Sequence, residues 1–266
     1  MNIVIAVDRS RHARAAMQLL QHLRWPAGSA FTLLHMLEMV TIPGGWQLHY
    51  HPELWKQLTG ERRKVFSQAQ RFLERLGTQV RPGDARPEVL VKWGLPLTGI
   101  VGVLKKKQAD LVVVGSRGLS GVRRFLLGSV SEGVLHSAPC SVLISRGSRK
   151  RGAQPSVKGL RILLAVDESD HALAAAQAMI RVTKERGRQV LGRMRKLVAH
   201  RGLTIHPVLV EGRPAEEILR AAARTHADLV ILGSRGMTGL KGAFLGSVSR
   251  KVARHAPCSV LVVKQR

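Results

Sequence analysis

Acidic residues are scarce in this sequence: 17 Asp and Glu stand against 43 Lys and Arg, so the 266-residue chain carries a formal net charge of +26 at pH 7. The imbalance favours an anionic partner, a nucleic acid or other anionic surface included, without saying which anion. Aromatic residues are only 4% of the chain, so the base-stacking platform of a single-strand nucleic-acid binder is poorly supplied. There are two cysteines, Cys140 and Cys258. They occupy equivalent places ahead of two apolar strands, which suits small buried residues and not a disulfide framework. No uninterrupted apolar run approaches the ~20 residues of a membrane helix, so no transmembrane segment is expected. The opening "MNIVIAVD" reaches Asp8 too soon for a signal-peptide core and has no basic stretch before it. A soluble, cytoplasmic protein is expected. Also missing are G-x-x-x-x-G-K-[ST], a G-x-S-x-G elbow and any spacing that suggests a general base beside a phosphate. His49 and His51 form an H-x-H pair without a third ligand nearby, so no metal site is expected there.

What the chain has is a repeat. "LVVVGSRGLSGVRRFLLGSVSEGVLHSAPCSVLI" (111–144) returns as "LVILGSRGMTGLKGAFLGSVSRKVARHAPCSVLV" (229–262) with identical spacing. Gly115, Gly118 and Gly128 are matched by Gly233, Gly236 and Gly246. A strand that runs into a glycine-rich loop presents backbone N–H groups without Cβ obstruction. The helix that begins near Ser129 adds unpaired donors and the positive end of its dipole. Phosphate oxygens fit such a place; the competing reading makes the glycines turn residues and Ser129 and Ser247 N-caps. Two copies in register favour the first.

The rest of the chain places that segment in a sheet. Residues 3–7, "IVIAV", are apolar on both faces, as a buried parallel strand requires. Ser10 is positioned to cap a helix whose apolar face holds Ala13, Ala16, Met17 and Leu20. A strand follows from Phe31 to Leu37, then an irregular stretch to residue 59, and helical spacing over 60–76. The basic residues of that helix read as a solvated face. "PEVLVKWG" (87–94) is a third strand, and Leu95-Pro96 opens a helix with a basic end. Strands alternating with helices predict an α/β fold with a parallel doubly wound sheet and ligands beyond the carboxyl ends of its strands. Residues 147–159 read as a basic linker between domains at 1–146 and 160–266. In the second copy Asp167 and Ser169 echo Asp8 and Ser10, but the distance on to the glycine loop is shorter. Alignment from both ends puts the gap near Arg181 to Gly187, so the second strand and the irregular loop are what is missing. The strand near Thr204 to Val210 either moves in beside Ile162 to Val166, the option favoured because it covers the exposed ladder of that strand, or stays displaced and leaves a gap.

On these motifs, with the "AVD" strand end at Asp8 and Asp167, "LLHM", "KWGLP", "VEGRP" and "APCSVL", the chain resembles the universal stress protein family. ATP-binding members of that family carry Gly-x-x-Gly-x9-Gly-(Ser/Thr). The resemblance implies two Rossmann-like parallel-sheet domains, of the adenine nucleotide alpha hydrolase-like type, in tandem, the second lacking its second strand. It implies ATP as the ligand, with or without Mg, and a regulatory role in stress survival, with hydrolysis slow or absent. Asp8 and the backbone near Met36 would hold adenosine; Gly115, Arg117, Gly118, Gly128, Ser129 and Val130 would surround ribose and phosphates. In the second copy Asp167, Gly233, Arg235, Gly236, Gly246, Ser247 and Val248 match, and nothing matches Met36. Domains of the family associate through their last strands, which implies an internal pseudo-dimer, with a homodimer as a further association. The alternative reading is a nucleotide-independent binder of anionic macromolecules or lipid, driven by charge.

Overall fold

The structure, a computed structural model, describes residues 1–23, 25–38, 52–78, 86–117, 127–147, 160–166, 206, 208, 210, 212–235 and 245–264. Strand β1 (Asn2–Ala6) buries Ile3, Val4 and Ile5 on both of its faces. Helix α1 (Arg11–His22) starts where the sequence predicts: the Ser10 hydroxyl accepts the N–H of His12 at 3.2 Å and of Ala13 at 3.3 Å. Ala13, Ala16, Met17 and Leu20 form its buried face. There follow β2 (Ala30–Leu37), α2 (Pro52–Gly77), β3 (Glu88–Trp93), α3 (Pro96–Lys106), β4 (Leu111–Gly115), α4 (Ser129–Ser137) and β5 (Ser141–Ser145). Helix α2 begins well before residue 60, inside the stretch that composition predicts to be irregular. A proline in the first turn has no N–H that the helix needs, so Pro52 opens this helix instead of breaking it.

Five further elements are described: β6 (Ile162–Leu164), α5 (Pro214–Arg224), β7 (Leu229–Gly233), α6 (Ser247–His255) and β8 (Ser259–Val263). The eight described strands lie in one sheet, in the order β3-β2-β1-β4-β5-β8-β7-β6. Neighbours are parallel except β5 and β8, which run antiparallel. One apolar layer packs α1 and α2 on one face, through Met17, Leu20, Leu73 and Leu76. The other face carries α3, α4, α5 and α6, through Val103, Leu135, Ala222 and Val252. The strand order reverses between β1 and β4, and there the connections leave to opposite faces and open a crevice at the carboxyl ends.

At β6 and β7 the second half repeats the pairing of β1 and β4. Ile162 pairs with Leu229 as Ile3 pairs with Leu111. The Arg161 N–H donates to Asp228 Oδ2 at 2.9 Å, as that of Asn2 donates to Asp110 Oδ2 at 2.7 Å. This register supports the alignment of Asp167 with Asp8. Among the described residues no strand lies beyond β6. The expected strand near Thr204 to Val210 falls largely outside them, and the described His206, Val208 and Val210 are not in a strand.

The seam between the halves pairs Val142 with Val262, Leu143 with Leu261 and Ile144 with Val260. Its flanking contacts occur twice. The Arg146 N–H donates to Ser259 Oγ, and the Lys264 N–H to Ser141 Oγ, both at 3.2 Å. The Arg146 guanidinium crosses to the end of α6 and donates to the carbonyls of Ala253, Arg254 and Ala256 at 2.5, 3.0 and 2.8 Å. Lys264 Nζ crosses the other way, to Ala138 O at 2.8 Å and His136 O at 3.5 Å at the end of α4. Each half thus supplies a cation to the negative end of the other half's helix. Burial pulls Arg146 down to about 10, and nearby Arg117 adds to that. Lys264 is lowered by burial in the same way, with Arg235 beside it.

Candidate functional site

At the rim of the β1–β4 crevice, Asp8 turns the chain out of β1: its Oδ1 accepts the Ser10 N–H at 3.0 Å. The Ser10 hydroxyl also reaches the carbonyl of Arg117, at 3.4 Å, so Asp8 and Arg117 are held at one rim although distant in sequence. Gly115 ends β4 beside the start of α1, where a Cβ would stand 3.0 Å from His12 Cβ. That glycine answers to the close approach of α1. The His12 Nδ1 lies 3.3 Å from Ser116 Oγ.

Ser116 joins the two ends of the glycine loop. Its N–H donates to Ser145 O at 2.8 Å, and its carbonyl accepts the Gly128 N–H at 2.9 Å and the Ser131 hydroxyl at 3.1 Å. In the second half Ser234 donates to Val263 O at 2.8 Å, and its carbonyl accepts Gly246 N–H at 2.8 Å and Ser249 Oγ at 3.0 Å. These four serines were missed by sequence reasoning, which followed the glycines. The available signal was the identity of the intervening residues, since both copies read "GSRG" and "GSVS".

Helix α4 has Gly128 as its N-cap, and α6 has Gly246, with no side-chain cap bond at either. Ser129 and Ser247 are therefore the first helical residues and not caps. Helix α1, capped by Ser10, shows the contrast within one molecule. The first-turn amides of Ser129 and Val130, and of Ser247 and Val248, have no intrahelical acceptor by construction. Bare backbone surrounds them: a Cβ on Gly128 would lie 3.5 Å from Arg117 Cα, and one on Gly246 would lie 3.1 Å from Ser234 O. Such a cradle of donors at the positive end of a helix suits a phosphate. Arg117 and Arg235 stand where each loop leaves its strand.

Met36 lies across the crevice. The β1–β2 register ends at Ala6 and Leu34, with Val7 N–H to Leu34 O at 2.9 Å as the last rung. The carbonyl of Val7 then accepts from the His35 ring, whose Nδ1 is 2.7 Å away and therefore carries the proton. Leu34 faces β1, whereas Leu37 accepts Gly94 N–H at 2.9 Å on the β3 side. By the alternation of a strand, Met36 turns its own N–H and C=O past the end of β1, toward the crevice. Its side chain packs on the α3 face, against Gly99. The structure so brings together Asp8, Met36, Gly115, Arg117, Gly128, Ser129 and Val130. It likewise brings together Gly233, Arg235, Gly246, Ser247 and Val248. Gly118, Asp167 and Gly236 lie outside the described residues, as do His49 and His51. Among the described residues no three His, Cys, Asp or Glu side chains cluster as a metal site, and no helix is long and apolar enough to cross a membrane.

Known proteins share this fold. The Universal stress protein family model matches residues 1–146 and 189–264. A universal stress protein of Mycolicibacterium smegmatis is 27% identical over 99% of this chain and 97% of its own length. One from Methanocaldococcus jannaschii is 43% identical over 31% of this chain, and that match spans 48% of the relative. Among solved structures, a universal stress protein from Archaeoglobus fulgidus superposes with a TM-score of 0.65 at 22% identity, covering 100% of this chain and 98% of that one, which shows a shared fold. Strand β6 falls outside the matched segments yet holds the register of β1. With the family model covering most of the chain and the fold shared over its whole length, this protein belongs to the universal stress protein family.

Proposed function

We propose that the chain is an ATP-binding regulatory protein whose principal site is the crevice between β1 and β4. In this reading Asp8 and the Met36 backbone hold the adenosine end. Gly115, Arg117, Gly118, Gly128, Ser129 and Val130 surround ribose and phosphates. The observation that carries it is the start of α4, capped by Gly128, whose first-turn amides have no intrahelical acceptor. A Mg ion would arrive with the phosphates, since the described residues offer no ligand cluster of their own. The nucleotide supplies a removable polyanion: bound, it draws Arg117 and the start of α4 together, and so biases the surface offered to a partner. Hydrolysis is not part of the proposal.

Calorimetric titration of the purified chain with ATP tests it, together with mass spectrometry of the denatured protein for co-purified adenine nucleotide. Saturable ATP binding is expected, with phosphate release at background. No heat from ATP and no adenine nucleotide in the preparation would end this reading.

A further inference from the structure

The crevice is not the only place where this chain collects positive charge. On the opposite face of the sheet, Arg9, from the turn between β1 and α1, meets Gln68, Arg71, Phe72 and Arg75 of α2 around a recess of about 410 Å³. Phe72, half-buried, is part of its lining, with the His35 ring edge-on at 6.0 Å. The Arg9 guanidinium lies 5.7 Å from the centre of the Phe72 ring. The ring fixes Arg9 by its face and leaves the N–H edges of the guanidinium free to donate sideways. Arg71 and Arg75 are one helical turn apart on the same exposed stripe.

A solvated helix face, the reading that sequence alone favours, spreads its cations and pairs them. Elsewhere α2 does so: Lys64 pairs with Glu61 at 2.7 Å, and Arg62 stacks on Trp93 at 5.1 Å. At the recess the arrangement differs. Among the described residues none of Arg9, Arg71 and Arg75 forms an ion pair, and the nearby Glu74 accepts instead from Gln70, at 3.1 Å. Like charges one turn apart repel, and a third brought in from another segment adds to the repulsion. Nor does the repeat require it, since the second copy carries Glu168 where the first carries Arg9.

We infer that the recess formed by Arg9, Gln68, Arg71 and Arg75 over Phe72 is a second anion site, for a short phosphate chain. Three guanidinia present forked donors from two directions, which matches several phosphoryl oxygens on one compact ligand better than a single carboxylate. Gln68 adds an amide donor. Among the described residues none from the glycine loops lines the recess.

Titration with sodium tripolyphosphate tests this on the full chain, in wild type, in Arg71→Gln/Arg75→Gln, and in the charge-matched control Lys105→Gln/Lys106→Gln on α3. The double arginine variant is expected to lose about tenfold or more in affinity for one class of tripolyphosphate sites and to keep its ATP affinity. All four residues are exposed or at a helix end, and circular dichroism confirms the fold of each variant. In Gly128→Val/Gly246→Val, where both loops are obstructed, tripolyphosphate binding at the recess should persist. Titrating that variant with ATP tells a free phosphate chain from a nucleotide tail as the occupant. Unchanged tripolyphosphate binding in the double arginine variant would overturn the inference. So would an equal loss in the lysine control, which would mark general counterion attraction, or a parallel loss of ATP binding, which would place the arginines in the nucleotide site.

Discussion

Arg146 and Lys264 show how two residues at equivalent positions come to unequal importance. Arg146 satisfies three carbonyls at the end of α6 with a rigid fork, whereas Lys264 makes one good bond and one long one at the end of α4. Arg146→Ala leaves those carbonyls without their charged donor and should cost about 2–3 kcal/mol. Lys264→Ala should cost about 1 kcal/mol. Urea unfolding of the two variants measures both, and the ranking fails if Lys264→Ala is the more destabilised. Cys258 gives a chemical test at the same scale. Burial pushes its thiol up to about 12, against a smaller opposing pull from Arg146, so the reactive thiolate is scarce at neutral pH. Iodoacetamide at pH 8 should label it only after unfolding. The roles of Arg146 and Lys264 were not legible in the sequence, whereas the burial of Cys258 was. A lone Arg after a strand says nothing of a helix that lies far along the chain. Ser10, whose partners are its own neighbours, was legible from spacing alone.

At the scale of elements, the strands were read closely because apolar runs such as "IVIAV" and "LVVVG" have no other use in an α/β chain. The start of α2 was not, because Pro52 reads equally as a breaker and as a first helical residue. The glycine loops could be located but not interpreted: spacing alone left Ser129 as a cap or as a first-turn donor. The capping geometry decides between those. Gly128→Val would push a branched side chain toward Arg117 and Ser116, and ATP affinity at the first site should fall about tenfold or more with little change in stability. The two loops should also differ. By sequence nothing in the second half matches Met36, so the backbone donor and acceptor proposed for adenine, each worth ~1 kcal/mol, and part of the apolar wall are expected to be missing there. Its affinity should be lower by about one to two orders of magnitude. Calorimetry of Gly128→Val against Gly246→Val separates the sites. Two equal affinities, or binding that disappears only with Gly246→Val, would contradict the proposed inequality.

The whole molecule carries its charge of +26 over both halves, so polyanion binding of any kind should weaken steeply with salt through counterion release. ATP held by fixed backbone donors should respond less. Equal salt slopes for ATP and for heparin, a polyanion probe, would make ATP a mere surface counterion. The antiparallel seam also places Cys140 and Cys258 at opposite ends of the β5–β8 pair, both buried and neither in a disulfide, so a non-reducing peptide map should show no bridge between them. Because that seam joins two stretches of one polypeptide, its closure is a unimolecular event. Dilution cannot part the halves, and loop-to-loop stoichiometry stays at one to one however little protein a cell contains. Two separate chains meeting through the same strands would be subject to mass action, and their pairing would drift with expression level. Here the tether removes abundance as a variable.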